Sequence, residues 1–206
     1  MRLIARDAES FRGVASEAAL VVDLWFAEER GHSRLLAQAV QRVHGEFITD
    51  TFAFRLFNQC RRVLGVQFEM LVLLIVEIVS TGYYRVIRRH VGDEPIAAVC
   101  RLILRDEARH IDFHRDRLAA RYPHGFGFWR ACVFRVLGHA CVWFLWLGHG
   151  RCLRILGGSR DELFHHVRGG MSSFLSELAQ ATSALAGSRP STSASCSHPV
   201  ESEVVQ

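Results

Sequence analysis

An all-α helical bundle is the fold class this sequence predicts, and three observations predict it. Only four prolines occur, at 95, 123, 190 and 199, so long stretches run free of helix breakers. Within those stretches apolar residues recur at three- and four-residue intervals, with few strand-like alternations. Glycine and proline gather at a few points, VGDEP, YPHGFG and LGG, that punctuate the apolar runs.

Gly13 followed by Ser16 predicts a turn and an N-cap, and a first helix from Ser16 to about His44 that stops near Gly45. A shorter helix is expected over 48–63. Gly65 then opens the most apolar segment, a helix over 66–90. Asp93 and Pro95 suit an N-cap and a first-turn proline, starting a helix that runs to about Tyr122. Pro123 to Gly127 is the next turn. A helix from Phe128 to Leu156 is closed by Gly157 and Gly158, and a last one runs from Arg160 to about Leu185. Residues 1–185 read as one domain, and the Ser- and Pro-rich tail 186–206 as disordered.

Composition narrows the function classes. With 206 residues, half of them apolar, the chain can build one sizeable core. Its 25 basic residues, all Arg, face 21 acidic ones and are scattered in ones and twos, so no nucleic-acid partner is expected. Arginine without lysine points to a GC-rich bacterial genome. Six cysteines without CxxC spacing read as reduced thiols. The N-terminus MRLIARDAESFRG lacks a signal-peptide core, and the expected location is cytoplasmic. The run ACVWFLWLG falls short of the roughly 20 apolar residues that span a bilayer. Membrane contact is therefore not expected, and surface contact through Phe128 to Leu147 is the minority reading.

One motif occurs twice, Glu-x-x-His: Glu29 with His32 in AEERGH, and Glu107 with His110 in DEARH. On a helix an i, i+3 pair projects from one face, so a carboxylate and an imidazole approach the same metal ion. Between the copies, Glu77 sits in LVLLIVEIVS with apolar neighbours on both sides. A buried carboxylate must be paired, protonated or metal-bound. A lone ExxH is most often a surface Glu beside an unremarkable His. Two copies flanking a buried Glu favour metal.

AEERGHSRLL and LRDEARHIDFHRDRL resemble the two ExxH helices of the ferritin-like di-iron carboxylate superfamily, the first being similar to that of acyl-carrier-protein desaturases. The resemblance covers about residues 14–120, in the order ExxH, Glu, ExxH. It implies a ferritin-like bundle with additional C-terminal helices and two iron ions held by Glu29, His32, Glu77, Glu107 and His110. Some related oxygenases carry a histidine one turn before the last ExxH. Ile103 stands there, which counts against the arylamine N-oxygenase subgroup.

Other side chains are secondary candidates. His114 lies about 10 Å along the helix from Glu107 and leans back toward His110, placing it as a hydrogen-bonding neighbour of the ligands. Tyr84 stands in the same relation to Glu77, as a redox or hydrogen-bonding tyrosine or a plain interface one. Glu28 and Asp106 should point away from the metals, although Asp106 can orient a ligand on a neighbouring helix. His139 and His149 read as core or rim histidines.

The function the resemblance implies is an oxygen-dependent di-iron oxidoreductase, an oxidase, hydroxylase or desaturase-like enzyme. It would take a small organic or acyl substrate, dioxygen and an electron-donor protein, as a monomer or homodimer. The alternatives are an iron-binding or iron-oxidising protein without organic substrate, and a metal-free structural descendant. The bundle's first helix reads as truncated. Glu29 lies about 24 Å from the Gly13 turn, and an antiparallel partner would need as many residues before the turn as precede Glu29 after it. Glu9, Glu17 and Asp23 do not substitute, so one carboxylate is expected to be missing. Either a native start lies about 25 to 40 residues upstream, or the copy is degenerate.

Overall fold

The computed structural model describes residues 16–45 and 52–187, with side chains described for 23–45, 59 and 68–187. Its elements are α1 (Ser16–Arg42), α2 (Phe52–His90), α3 (Glu94–Arg121), α4 (Phe128–Leu156) and α5 (Arg160–Gly187), with no strand among the described residues. The fold is an all-α helical bundle. The expected Gly13 turn and the tail from 188 onward lie outside the described residues.

Local chemistry sets the helix ends. Asp93 caps α3, its carboxylate accepting a hydrogen bond from the Ile96 N–H at 3.0 Å, with Pro95 in the first turn where no donor is needed. Arg42 Nε donates to the same carboxylate at 3.0 Å and ties the end of α1 to the start of α3. Gly157, at φ 98°, ends α4 in the left-handed conformation, and the Gly158 N–H closes the turn on Leu153 O at 2.8 Å.

The expected break at Gly65 does not occur, since α2 runs unbroken through it. An isolated glycine costs a helix only about 1 kcal/mol, and a helix of this length recovers that by packing along its apolar face.

Four helices share the core. α2 packs on α3, α4 and α5, while α5 also packs on α3 and α4. The centre is Leu74, Ile78 and Val86 of α2 with Phe134, Leu153, Leu163, Met171, Phe174 and Leu178, and the Phe134 and Phe174 rings lie 5.6 Å apart. α5 approaches closely at two glycines: a Cβ on Gly82 would meet Val167 Cγ2 at 2.7 Å, and one on Gly138 would meet the end of Met171. α1 contributes nothing to this core and packs on α3 alone among the described helices. α3 is thus sandwiched between the bundle and α1, and the ligand motifs meet at that outer seam.

Two stretches are long and apolar enough to cross a membrane, Phe68–His90 and Phe128–Leu156. In the first, 44% of the apolar window is buried. Only 17% of the apolar window in the second is buried.

Candidate metal centre

The i, i+3 spacing sets Glu29 and His32 on the α1 face that meets α3, and Glu107 and His110 on the α3 face that meets α1. α2 brings Glu77 in from the core side. The five side chains converge. Glu29, His32 and Glu107 form one group whose ligand atoms lie within 4.8 Å of one another, and Glu77, Glu107 and His110 form a second with the same spread. Glu107 belongs to both, in the position of a bridge. His110 Nδ1 lies 3.4 Å from a Glu29 oxygen, 3.5 Å from Glu107 and 3.9 Å from Glu77. His32 Nδ1 lies 3.9 Å from both Glu29 and Glu107.

The two imidazoles are held from behind by swapped carboxylates. His32 Nε2 lies 3.2 Å from Asp106 of α3, and His110 Nε2 lies 3.0 Å from Glu28 of α1. Each motif is therefore acid-Glu-x-x-His, its leading acid reaching across to the other motif's histidine. Arg109 closes the arrangement, donating to Glu28 at 2.6 Å and to Asp106 at 3.0 Å. Glu28 does point away from the metal position, as its sequence place suggests, but it is an orienting partner that sequence reasoning missed. The acid preceding Glu in both EERGH and DEARH was the available signal.

Electrostatically, the cluster crowds carboxylates together. Burial drives the Glu77 carboxyl well above its usual range, and the neighbouring Glu107 and Glu29 charges push it further. Glu29 is raised for the same two reasons, burial and Glu107, with His32 and His110 opposing. Burial works against charging His110, yet Glu107 and Glu28 outweigh it and hold its pKa above the ordinary imidazole value. With Nε2–H donated outward, Nδ1 turns a lone pair toward three carboxylates. That is favourable only with a proton or a cation between them. Glu77 Oε2, Glu107 Oε2 and His110 Nδ1 are all buried without a hydrogen-bond partner. A metal ion supplies what these atoms lack, so the donor set fits one.

His114 is fully buried, with Nε2 3.4 Å from Glu77 Oε2, but the geometry is not that of a hydrogen bond. Burial, aided by Arg117 and His110, pushes it down to about 3 and keeps it neutral. Trp25 packs at a tilt on His110 and edge-on to His114, with ring centroids at 5.4 and 5.3 Å, and shields that end of the cluster. Tyr84 lies near enough to Glu107 and Glu29 for their charges, after burial, to raise its phenol. It makes no hydrogen bond to a ligand among the described residues, and its ring packs on Tyr83 at 5.5 Å. His139 and His149 are exposed, at the rim.

One side of the cluster is open. The Glu29 side chain is 43% exposed while those of Glu77, Glu107 and His110 are at most 7% exposed. Asp23 is exposed and about 9 Å along α1 from Glu29, and Glu9 and the Glu17 side chain lie outside the described residues. No fourth carboxylate helix borders the site among the described residues. Comparison of the chain with family models, with curated proteins and with solved structures finds no match.

Proposed function

We propose that this protein is a ferritin-like di-iron oxidoreductase that uses dioxygen on a small organic or acyl substrate. The observation that carries the reading is the pair of ligand groups sharing Glu107, each completed by an imidazole whose far nitrogen is held by a carboxylate of the opposite motif. Carboxylate and imidazole donors together suit iron. When bound, two irons would supply the electrons and the oxygen-binding capacity that no side chain of this chain has.

The protein's own contribution is positioning and exclusion. Glu107 would bridge, Glu29 with His32 would hold one ion, and Glu77 with His110 the other. Asp106 and Glu28 keep the two imidazole rings turned inward, and Arg109 balances their charge. Trp25, Ile103 and the apolar flank of α2 keep water from the buried side, which leaves the half-exposed Glu29 edge as the approach for a ligand.

The test is anaerobic reconstitution with ferrous iron, metal analysis, and mixing with oxygen. The reading expects iron bound in a Glu107-dependent manner and oxidised faster than free iron. A protein that binds no ferrous iron sinks it. Rapid iron oxidation that continues over many equivalents, with mineral formed and no organic product, would replace the enzyme with an iron-oxidising protein.

A further inference from the structure

The outward face of α4 carries a seam that meets the rest of the fold at Trp143, whose ring packs edge-on against Phe164 of α5 at 5.1 Å and lies under the Arg160 guanidinium. Trp129, Val133, Val136, Ala140, Trp143 and Leu147 are all exposed and follow one another at intervals of 4, 3, 4, 3 and 4 residues. Trp129 is 79% exposed, Val136 67% and Leu147 75%. Such spacing is that of a helix meeting another helix side by side, knobs into holes. α4 packs on α2 and α5 mainly through its opposite face, through Phe134, Val142 and Leu153, so beyond the edge of Trp143 the seam is surplus to this bundle.

The seam is also symmetric. Reversed about position 138 it maps onto itself, setting Trp129 against Leu147, Val133 against Trp143, and Val136 against Ala140. Large side chains meet in the outermost layer and small ones in the innermost, and each pair recurs reciprocally, as a twofold contact requires. Charge selects the same direction. α4 has no acidic residue, and Arg151 and Arg154 lie at its C-terminal end on the seam's own face. A parallel pair would crowd all four guanidinium groups together, whereas an antiparallel pair sets even the nearest two, the Arg151 of each copy, about 39 Å apart along the axis. With Phe144 and Phe128 at its flanks, the face offers on the order of 1,000 Å² of apolar surface, against the roughly 800 Å² per partner that a stable interface buries.

We propose that two copies of this chain pair antiparallel through α4. Because α4 touches neither α1 nor α3 among the described residues, the pairing leaves the Glu29 edge of the metal cluster open in both copies. It stands independently of the chemistry proposed for that cluster.

The experiment is sedimentation velocity on the full chain over a concentration series, with helical circular dichroism as the folding control, since the mutated positions are exposed. Wild type should sediment at twice 23.3 kDa. Val136→Glu and Ala140→Arg should each raise the dissociation constant by roughly tenfold or more. The double variant Val136→Glu/Ala140→Arg should recover the dimer, because the antiparallel seam sets position 136 of one copy against 140 of the other. Failure of that recovery, with both single variants dissociated, overturns the antiparallel register. A wild-type monomer at every concentration overturns the pairing altogether. Flotation of such a monomer with phosphatidylglycerol vesicles, lost on Val136→Glu, would assign the face to an anionic bilayer instead.

Discussion

Replacing Glu77 by leucine should stabilise the metal-free protein and remove its response to metal. Glu77 is 6% exposed, its Oε2 has no hydrogen-bond partner, and its nearest basic neighbour, His114, is held neutral by burial. The carboxyl also faces the Glu107 and Glu29 charges. Exchanging buried ionic groups for apolar ones of similar volume is often neutral or stabilises by about 1–4 kcal/mol, and the missing partner of Glu77 places it on the stabilising side. For a domain of this size each kcal/mol moves the midpoint by about 2–4 °C. An effect near 2 kcal/mol would therefore raise the melting temperature by roughly 4–8 °C. The assay is thermal melting by circular dichroism at neutral pH, in chelator and then with ferrous iron under anaerobic conditions. In iron at a hundredfold excess over its dissociation constant, the wild type should gain about 2.7 kcal/mol and the variant far less. A Glu77→Leu protein that melts below wild type in chelator would refute the reasoning, because the carboxylate would then be satisfied by the protein alone.

Four further outcomes test the geometry. Glu107→Ala should abolish binding at both positions, while Glu29→Ala should leave the Glu77, Glu107 and His110 group able to hold one ion, read as iron per chain by elemental analysis. Glu28→Gln or Asp106→Asn should weaken metal affinity about 10- to 100-fold with stoichiometry retained, because the ligands survive and only their orientation is lost; isothermal titration would show it. Gly82→Ala should destabilise by about 1–3 kcal/mol, since the stiff Val167 side chain at 2.7 Å cannot move aside. Gly169→Ala in α5, with nothing within 4 Å, should stabilise by about 0.5–1 kcal/mol, and urea unfolding separates the two.

What the sequence determined by itself was everything that depends on neighbours a few residues away. The termini of α3 and α4 follow from Asp93, Pro95 and Gly157, because caps and left-handed turns are made within one turn of chain. The pairing of Glu29 with His32 and of Glu107 with His110 follows from the helical repeat, and the burial of Glu77 from its apolar neighbours. Only the tertiary structure decided how the faces were rotated against one another. That rotation carried Glu28 to His110 and Asp106 to His32, brought Glu77 of the core helix α2 to the same cluster, and left α1 on a single neighbour among the described helices. It also let α2 run through Gly65, where local propensity favoured a break and packing along the whole helix outweighed it. Residue spacing sets which side chains share a face. Which face meets which is settled by the burial of several helices at once, a sum over contacts that no single stretch of sequence contains.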